Sequence, residues 1–282
     1  MTPCHNLFQF QFLASDAAKR EVPLDCGVRY GPNEGQLLDV FGGLLLPDDA
    51  PILVYIHGGY WQELSRDLSA YCVVPQYQSG IRVIVVGYDL APRVKLSEIV
   101  EEIKQAAECI FNMASKLGVR SVWFCGHSAG AHLVAMLLFS GWLDQLDDSV
   151  RHLAKGFVLI SGIYDLTPLV STYINDALKL SRQALEEARS LSPMLLDIHT
   201  LAVTKLRVLV AVGEHDSCEF QRQSSEFTEK LRQHGQQVDF MTVTGVDHFN
   251  IVENLQLEDF LLTKTIAGLV TDVSESLPAQ DP

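Results

Sequence analysis

Positive charge is scarce in this chain. It carries 21 Lys and Arg against 35 Asp and Glu in 282 residues, a formal net charge of -14. Proteins bind nucleic acid largely through clustered Lys and Arg that displace counterions, so a nucleic-acid partner is not expected. No stretch approaches the roughly 20 successive apolar residues that a membrane helix requires, so no membrane association is expected either. Cysteine is sparse and unpaired in pattern: Cys4, Cys26, Cys72, Cys109, Cys125 and Cys218 include no C-x-x-C. Cys109 and Cys125 also sit in apolar segments, which suits reduced thiols in a cytoplasmic protein better than a disulfide framework. Nine histidines include no H-x-x-x-H pair, so no metal site is expected. G-x-G-x-x-G and phosphate-loop patterns are missing as well, and no cofactor is expected. The opening "HNLFQFQFLAS" has no basic residue before it and is interrupted by glutamines, so no signal peptide is expected.

What the chain does have is 48% hydrophobic residues with 20% charged, enough for a large core. The apolar residues fall in short continuous runs: "ILVYI" (52–56), "IRVIVVGY" (81–88), "SVWFC" (121–125), "GFVLIS" (156–161) and "LRVLVAV" (206–212). Continuous rather than alternating runs are the pattern of strands covered on both faces of a parallel sheet. Between them lie amphipathic segments. In 97–117, Ile99, Ile103, Ala107, Ile110, Ala114 and Leu117 recur at helical spacing. Ser97 is the expected N-cap there and Gly118 the expected terminator. Helices are also expected over 219–234 and 250–270. Near the start, "LDCGVRYG" and "QLLDVFGG" flank the turn-like "PNEG", which predicts an antiparallel hairpin at a sheet edge. The segment 1–20 shows no defined element. One domain over 1–282 is expected, a doubly wound, mostly parallel α/β sheet with a small helical cap over 163–204.

Active residues of such sheets sit in loops at the carboxyl ends of the strands. Four of these loops carry chemistry-bearing residues: His57-Gly58-Gly59-Tyr60-Trp61, Gly126-His127-Ser128-Ala129-Gly130, Gly213-Glu214-His215-Asp216 and Gly245-Val246-Asp247-His248-Phe249. A serine aimed at a substrate needs so sharp a strand-to-helix turn that the positions two before and two after it have no room for side chains. Gly126 and Gly130 meet that demand around Ser128. The expected roles are Ser128 as nucleophile, His248 as base and Asp216 as the acid that orients it, in the chain order Ser, Asp, His. Backbone N–H groups of Gly59, Tyr60 and Ala129 are the expected oxyanion donors. Glu214 is a rival acid, while His127, His132 and His215 compete less well as bases. Any one of these motifs alone could be an ordinary tight turn or a helix cap. Four of them in the right order make coincidence a poor explanation.

With these loops in view, the sequence resembles the kynurenine formamidase (arylformamidase) family of α/β-hydrolases. The likeness runs through "HGGYW" (57–61), "GHSAGAHL" (126–133), "SGIYDLTPLV" (161–170), "SLSPML" (190–195), "EHDSCEFQRQSSEF" (214–227) and "DHFNIVE" (247–253), in order over about 24–262. It implies the α/β-hydrolase fold and hydrolysis of N-formyl-L-kynurenine to L-kynurenine and formate in tryptophan catabolism. The same triad, no cofactor and a homodimer are implied too. The stretch "MTPCHNLFQFQFLASDAAKR" is unlike the family's N-terminal segment. Tyr60, Trp61, Tyr164 and Phe249 lie in the right loops to line an apolar groove for the substrate's aromatic ring. Arg93 is the candidate partner of the substrate carboxylate. Two other functions compete: a general carboxylesterase for aryl or short-acyl esters, and a non-catalytic binding module on the same fold.

Overall fold

The computed structural model describes residues 3–43, 45–139, 141–180, 185–196 and 206–272. Eight strands form one sheet: β1 (Leu24–Arg29), β2 (Leu37–Phe41), β3 (Ile52–Ile56), β4 (Arg82–Val86), β5 (Val122–His127), β6 (Ala154–Ile160), β7 (Arg207–Gly213) and β8 (Gln237–Val243). Their order is β1-β2-β4-β3-β5-β6-β7-β8. β1 and β2 form the expected edge hairpin and β2 runs antiparallel to β4. The pairings from β4 through β8 are parallel. The apolar runs therefore became strands within one or two residues of their expected limits.

Side chains alternate across the sheet, as a period of two demands. In β3, Ile52, Val54 and Ile56 join the core on one face, while Leu53 and Tyr55 join the core on the other. The first core packs against α3 (Leu96–Leu117) and α4 (Ala129–Phe139). The second packs against α1 (Pro3–Glu21), α2 (Val73–Gln78) and the helix Leu261–Thr271. Every residue of α4 is buried, so this helix presents no face to solvent. A helix that is apolar nearly all round is stable only when enclosed on all sides.

Three local expectations are corrected. The helix expected from Ser97 begins at Leu96; the Glu98 carboxylate accepts from the Lys95 N–H at 2.7 Å, so the first turn is capped by reaching back rather than by Ser97. Gly118 ends it as expected, in left-handed geometry with φ 72°. The span 250–270 is not one helix but Asn250–Glu253, a 3₁₀ turn Asn254–Gln256 and Leu261–Thr271. Leu257 and Phe260 are extended there, and the polar Glu258-Asp259 between them interrupts the apolar period. The segment 1–20 is helical within α1, from Pro3 onward. It is docked by the Ala70 N–H donating to Ser15 Oγ at 3.0 Å and by a Lys19–Asp67 ion pair at 2.7 Å.

The described part of 163–204 contains a 3₁₀ turn (Thr167–Ser171) and the short helices Asn175–Leu178 and Leu185–Ser190. Residues 181–184 and 197–204 of that expected cap lie outside the described residues. Among the described residues, no helix is long and apolar enough to cross a membrane.

Candidate active site

The sheet order reverses at β3, with β4 on one side and β5 on the other. Ligand sites in open α/β sheets form beyond the strand ends at such a switch point. The loops that follow β3 and β5 are 57–61 and 126–130, and they come into direct contact. A Cβ on Gly58 would lie 3.1 Å from the Ser128 Cβ.

Ser128 occupies the turn between β5 and α4 with φ 54°, a left-handed conformation that a non-glycine residue adopts at a cost of roughly 1–3 kcal/mol. The turn is as tight as the sequence required. A Cβ on Gly126 would lie 2.4 Å from the Gly130 carbonyl carbon, and one on Gly130 would lie 2.1 Å from the Ile56 carbonyl oxygen. The Ser128 N–H donates to the Ile160 carbonyl at 2.9 Å and pins the turn to β6. Among the described residues Ser128 Oγ has no hydrogen-bond partner, and nucleophile–base contacts in ligand-free sites are often long.

Beyond β3 the backbone coils through a run of positive φ: Gly59 at 95°, Tyr60 at 48°, Trp61 at 60° and Leu64 at 68°. Such a run holds only where its surroundings over-determine it. Tyr88 supplies part of that support: its hydroxyl donates to the His57 carbonyl at 2.9 Å, and its ring stacks on His57 at 4.3 Å. The Gly59 carbonyl accepts from the N–H groups of Gln62 and Glu63 at 2.9 and 3.0 Å. Among the described residues, the N–H groups of Gly59, Tyr60 and Ala129 reach no acceptor. Unspent donors beside a serine at a helix start are what an oxyanion requires.

The loops expected to carry the acid and the base meet on the far side. His248 Nδ1–H donates to the Asp216 carboxylate, 3.2 Å from each oxygen. The Asp216 side chain is fully buried and also accepts from the Ser217 N–H at 2.9 Å. Glu214 is otherwise engaged: its carboxylate is exposed to solvent and accepts from the Gly245 N–H at 2.8 Å, bracing the loop that carries His248. The chain next to Ser128 reaches this pair directly, since His127 Nε2–H donates to the His248 carbonyl at 2.9 Å. His132 packs instead: its Nε2–H donates to the Leu191 carbonyl at 2.7 Å, and burial depresses its pKa to about 4.

The expected groove residues separate into two pairs. Phe249 is exposed and Tyr60 half-buried, with the Tyr60 phenol raised in pKa by burial and by the nearby Tyr173 and Asp216. Trp61 and Tyr164, by contrast, have no exposed surface and do not line a groove. Trp61 lies edge-on to His132 at 4.9 Å, and Tyr164 stacks on Phe227 at 4.0 Å. Both rings fill core space beneath the site. Arg93 is likewise committed, pairing with Asp89 at 2.5 Å and Glu34 at 3.2 Å.

Several neighbours carried no sequence signal. Phe220 packs on the His248 ring at 4.2 Å from the helix Cys218–Gln233. Gln62 donates to the Ile174 carbonyl at 2.8 Å, tying the 57–64 loop to the cap beside the exposed Tyr173. Only Tyr173's place next to "TPLV" in the cap region could have suggested it.

Residues 53–251 match the alpha/beta hydrolase fold family. The kynurenine formamidase of Danio rerio is 39% identical over 243 residues, covering 86% of this chain and 80% of that protein. The chain belongs to the kynurenine formamidase family of α/β-hydrolases. The kynurenine formamidase of Drosophila melanogaster is 34% identical over 236 residues, covering 82% of this chain and 77% of that protein. Among solved structures, the hyperthermophilic esterase of Pyrobaculum calidifontis superposes with a TM-score of 0.73 at 21% identity, over 94% of this chain and 91% of that one. The carboxylesterase EstE1 from a metagenomic library superposes with a TM-score of 0.72 at 19% identity, over 95% and 96%. These likenesses establish the fold. Family membership makes the chain a hydrolase.

Proposed function

We propose that the protein hydrolyses N-formyl-L-kynurenine to L-kynurenine and formate by acyl transfer through Ser128. The observation that carries the reading is the paired Asp216 and His248 beside a strained Ser128 whose neighbouring N–H groups are unspent. The family relatives support the choice of substrate.

Ser128 Oγ attacks the formyl carbon while His248 Nε2 takes its proton. Asp216 holds Nδ1 protonated, so Nε2 is the free acceptor, and it stabilises the imidazolium that forms. The carbonyl oxygen becomes an oxyanion received by the N–H groups of Gly59, Tyr60 and Ala129. On collapse the C–N bond breaks and the imidazolium proton goes to the aryl amine, which leaves neutral. Water then attacks the formyl-serine ester, with His248 again as base, and releases formate. Phe249 and Tyr60 offer apolar surface for the aryl ring on the leaving-group side.

The test is kcat/KM for N-formyl-L-kynurenine against phenyl acetate, with Ser128→Ala as control. The proposal expects the formamide to be the better substrate and Ser128→Ala to lose roughly 10⁴-fold or more in kcat on both. Turnover of the ester with negligible turnover of the formamide would make the protein a carboxylesterase instead.

A further inference from the structure

The residue before the nucleophile has no part in the mechanism above, yet three loops of the site converge on it. We propose that His127 is a positioning residue that ties the base loop to the nucleophile turn and holds His248 in register for proton transfer. This rests on His248 being the base, and not on which acyl compound is cleaved.

His127 is the last residue of β5 and pairs with Ile160 of β6. Successive side chains of a strand point to opposite faces. Gly126 faces α4, where its missing Cβ admits Gly130. His127 therefore points to the opposite face, toward the loop 244–250. There its Nε2–H donates to the His248 carbonyl at 2.9 Å, across 121 residues of sequence. Among the described residues no other donor reaches that carbonyl. On its other side the ring abuts the 57–61 loop: a Cβ on Gly58 would lie 3.3 Å from His127 Nδ1.

The base is thus gripped from two sides. The His127 ring lies 4.7 Å from the His248 ring, and Phe220 lies 4.2 Å away. A carbonyl can only accept, so Nε2 must carry the hydrogen and Nδ1 remains bare. Burial, reinforced by the adjacent His248, keeps His127 neutral by holding its pKa well below the ordinary range. A neutral donor suits the position. It holds the backbone of the base without setting a second positive charge against the imidazolium that forms during each acyl transfer.

The alternative is that His127 merely fills space at a crowded turn. A substitution that keeps the ring but removes the donor separates the two roles. His127→Phe and His127→Leu remove the donor, and His127→Gln restores an N–H at similar reach. The readouts are kcat and KM on both N-formyl-L-kynurenine and phenyl acetate, with thermal melting of each variant. The inference expects the donor-free variants to lose tenfold or more in kcat with KM within threefold of wild type, by the same factor on both substrates. It expects His127→Gln to recover most of that loss at a comparable melting temperature. Wild-type kcat in either donor-free variant overturns it, as does a folded His127→Gln as impaired as the donor-free forms. His248→Ala is the control: activity retained there overturns the base assignment itself, whereas activity lost there but kept in His127→Phe overturns the present inference alone.

Discussion

His248 Nδ1 stands 3.2 Å from both carboxylate oxygens of Asp216, although 32 residues separate them in sequence. The contact joins the loop after β7 to the loop after β8, strands that lie side by side at the sheet edge. Glu214, two residues earlier, points to a different partner, the Gly245 N–H.

That division of labour predicts unequal mutants. Asp216→Asn should lower kcat by roughly 10⁴-fold, because the amide favours the wrong imidazole tautomer. Glu214→Gln should change kcat less than about threefold, since the exposed side chain only braces a turn. Steady-state kinetics on the two purified variants checks this; comparable losses would mean that Glu214 shares the acid role.

Steric room predicts a second contrast, read by urea unfolding. Gly130→Ala places a Cβ about 2.1 Å from the Ile56 carbonyl oxygen, against backbone that cannot yield. The expected destabilisation is about 3 kcal/mol or more, or loss of folded protein. Gly268, inside the helix Leu261–Thr271, has open space where an alanine methyl would sit, so Gly268→Ala should stabilise by roughly 0.5–1 kcal/mol.

Buried histidines predict an acid-sensitive fold. His57 and His132 are both held down to about 4 by burial. Between pH 4 and 6.5 the unfolded chain binds protons that the folded one refuses, so stability falls as pH falls through that window. Each such histidine contributes a slope of about 1.4 kcal/mol per pH unit. Urea unfolding of wild type and His132→Gln at pH 7, 6 and 5 should show a shallower loss in the variant. Parallel curves would mean that His132 does not stay neutral in the folded state.

Aromatic placement predicts where substrate affinity resides. Phe249→Ala should raise KM for N-formyl-L-kynurenine about three- to tenfold with a smaller effect on kcat, through lost ring contact. Trp61→Ala should instead lower the melting temperature, because the buried indole fills core space and its removal costs about 3–5 kcal/mol. An unchanged melting temperature for Trp61→Ala would remove it from the core.

Tyr60 and Trp61 differ in a way that no local pattern encodes. Tyr60 and Trp61 are adjacent, both follow a strand, and both suit either rim or core by type. Their fates were decided by consecutive left-handed residues, which leave the Tyr60 ring half-buried and turn Trp61 down onto His132. Arg93 shows the same limit. A cation near the right strand end looks available until Asp89 and Glu34 are placed beside it.

Local composition alone determined the strands, the edge hairpin and the chemistry of the four loops. Continuous apolar runs can be buried on both faces in few other ways, and a serine between Gly126 and Gly130 has few other uses. The helix α1 and the break at 254–260 escaped that reading because docking and turn geometry, not periodicity, decide them. Loop order already favoured Asp216 over Glu214, and tertiary structure supplied the contact with His248; tertiary structure alone decided which rings line the site and what His127 touches. Those are contacts across 32 to 121 residues of chain, set by strand order and loop direction, and no local pattern encodes them.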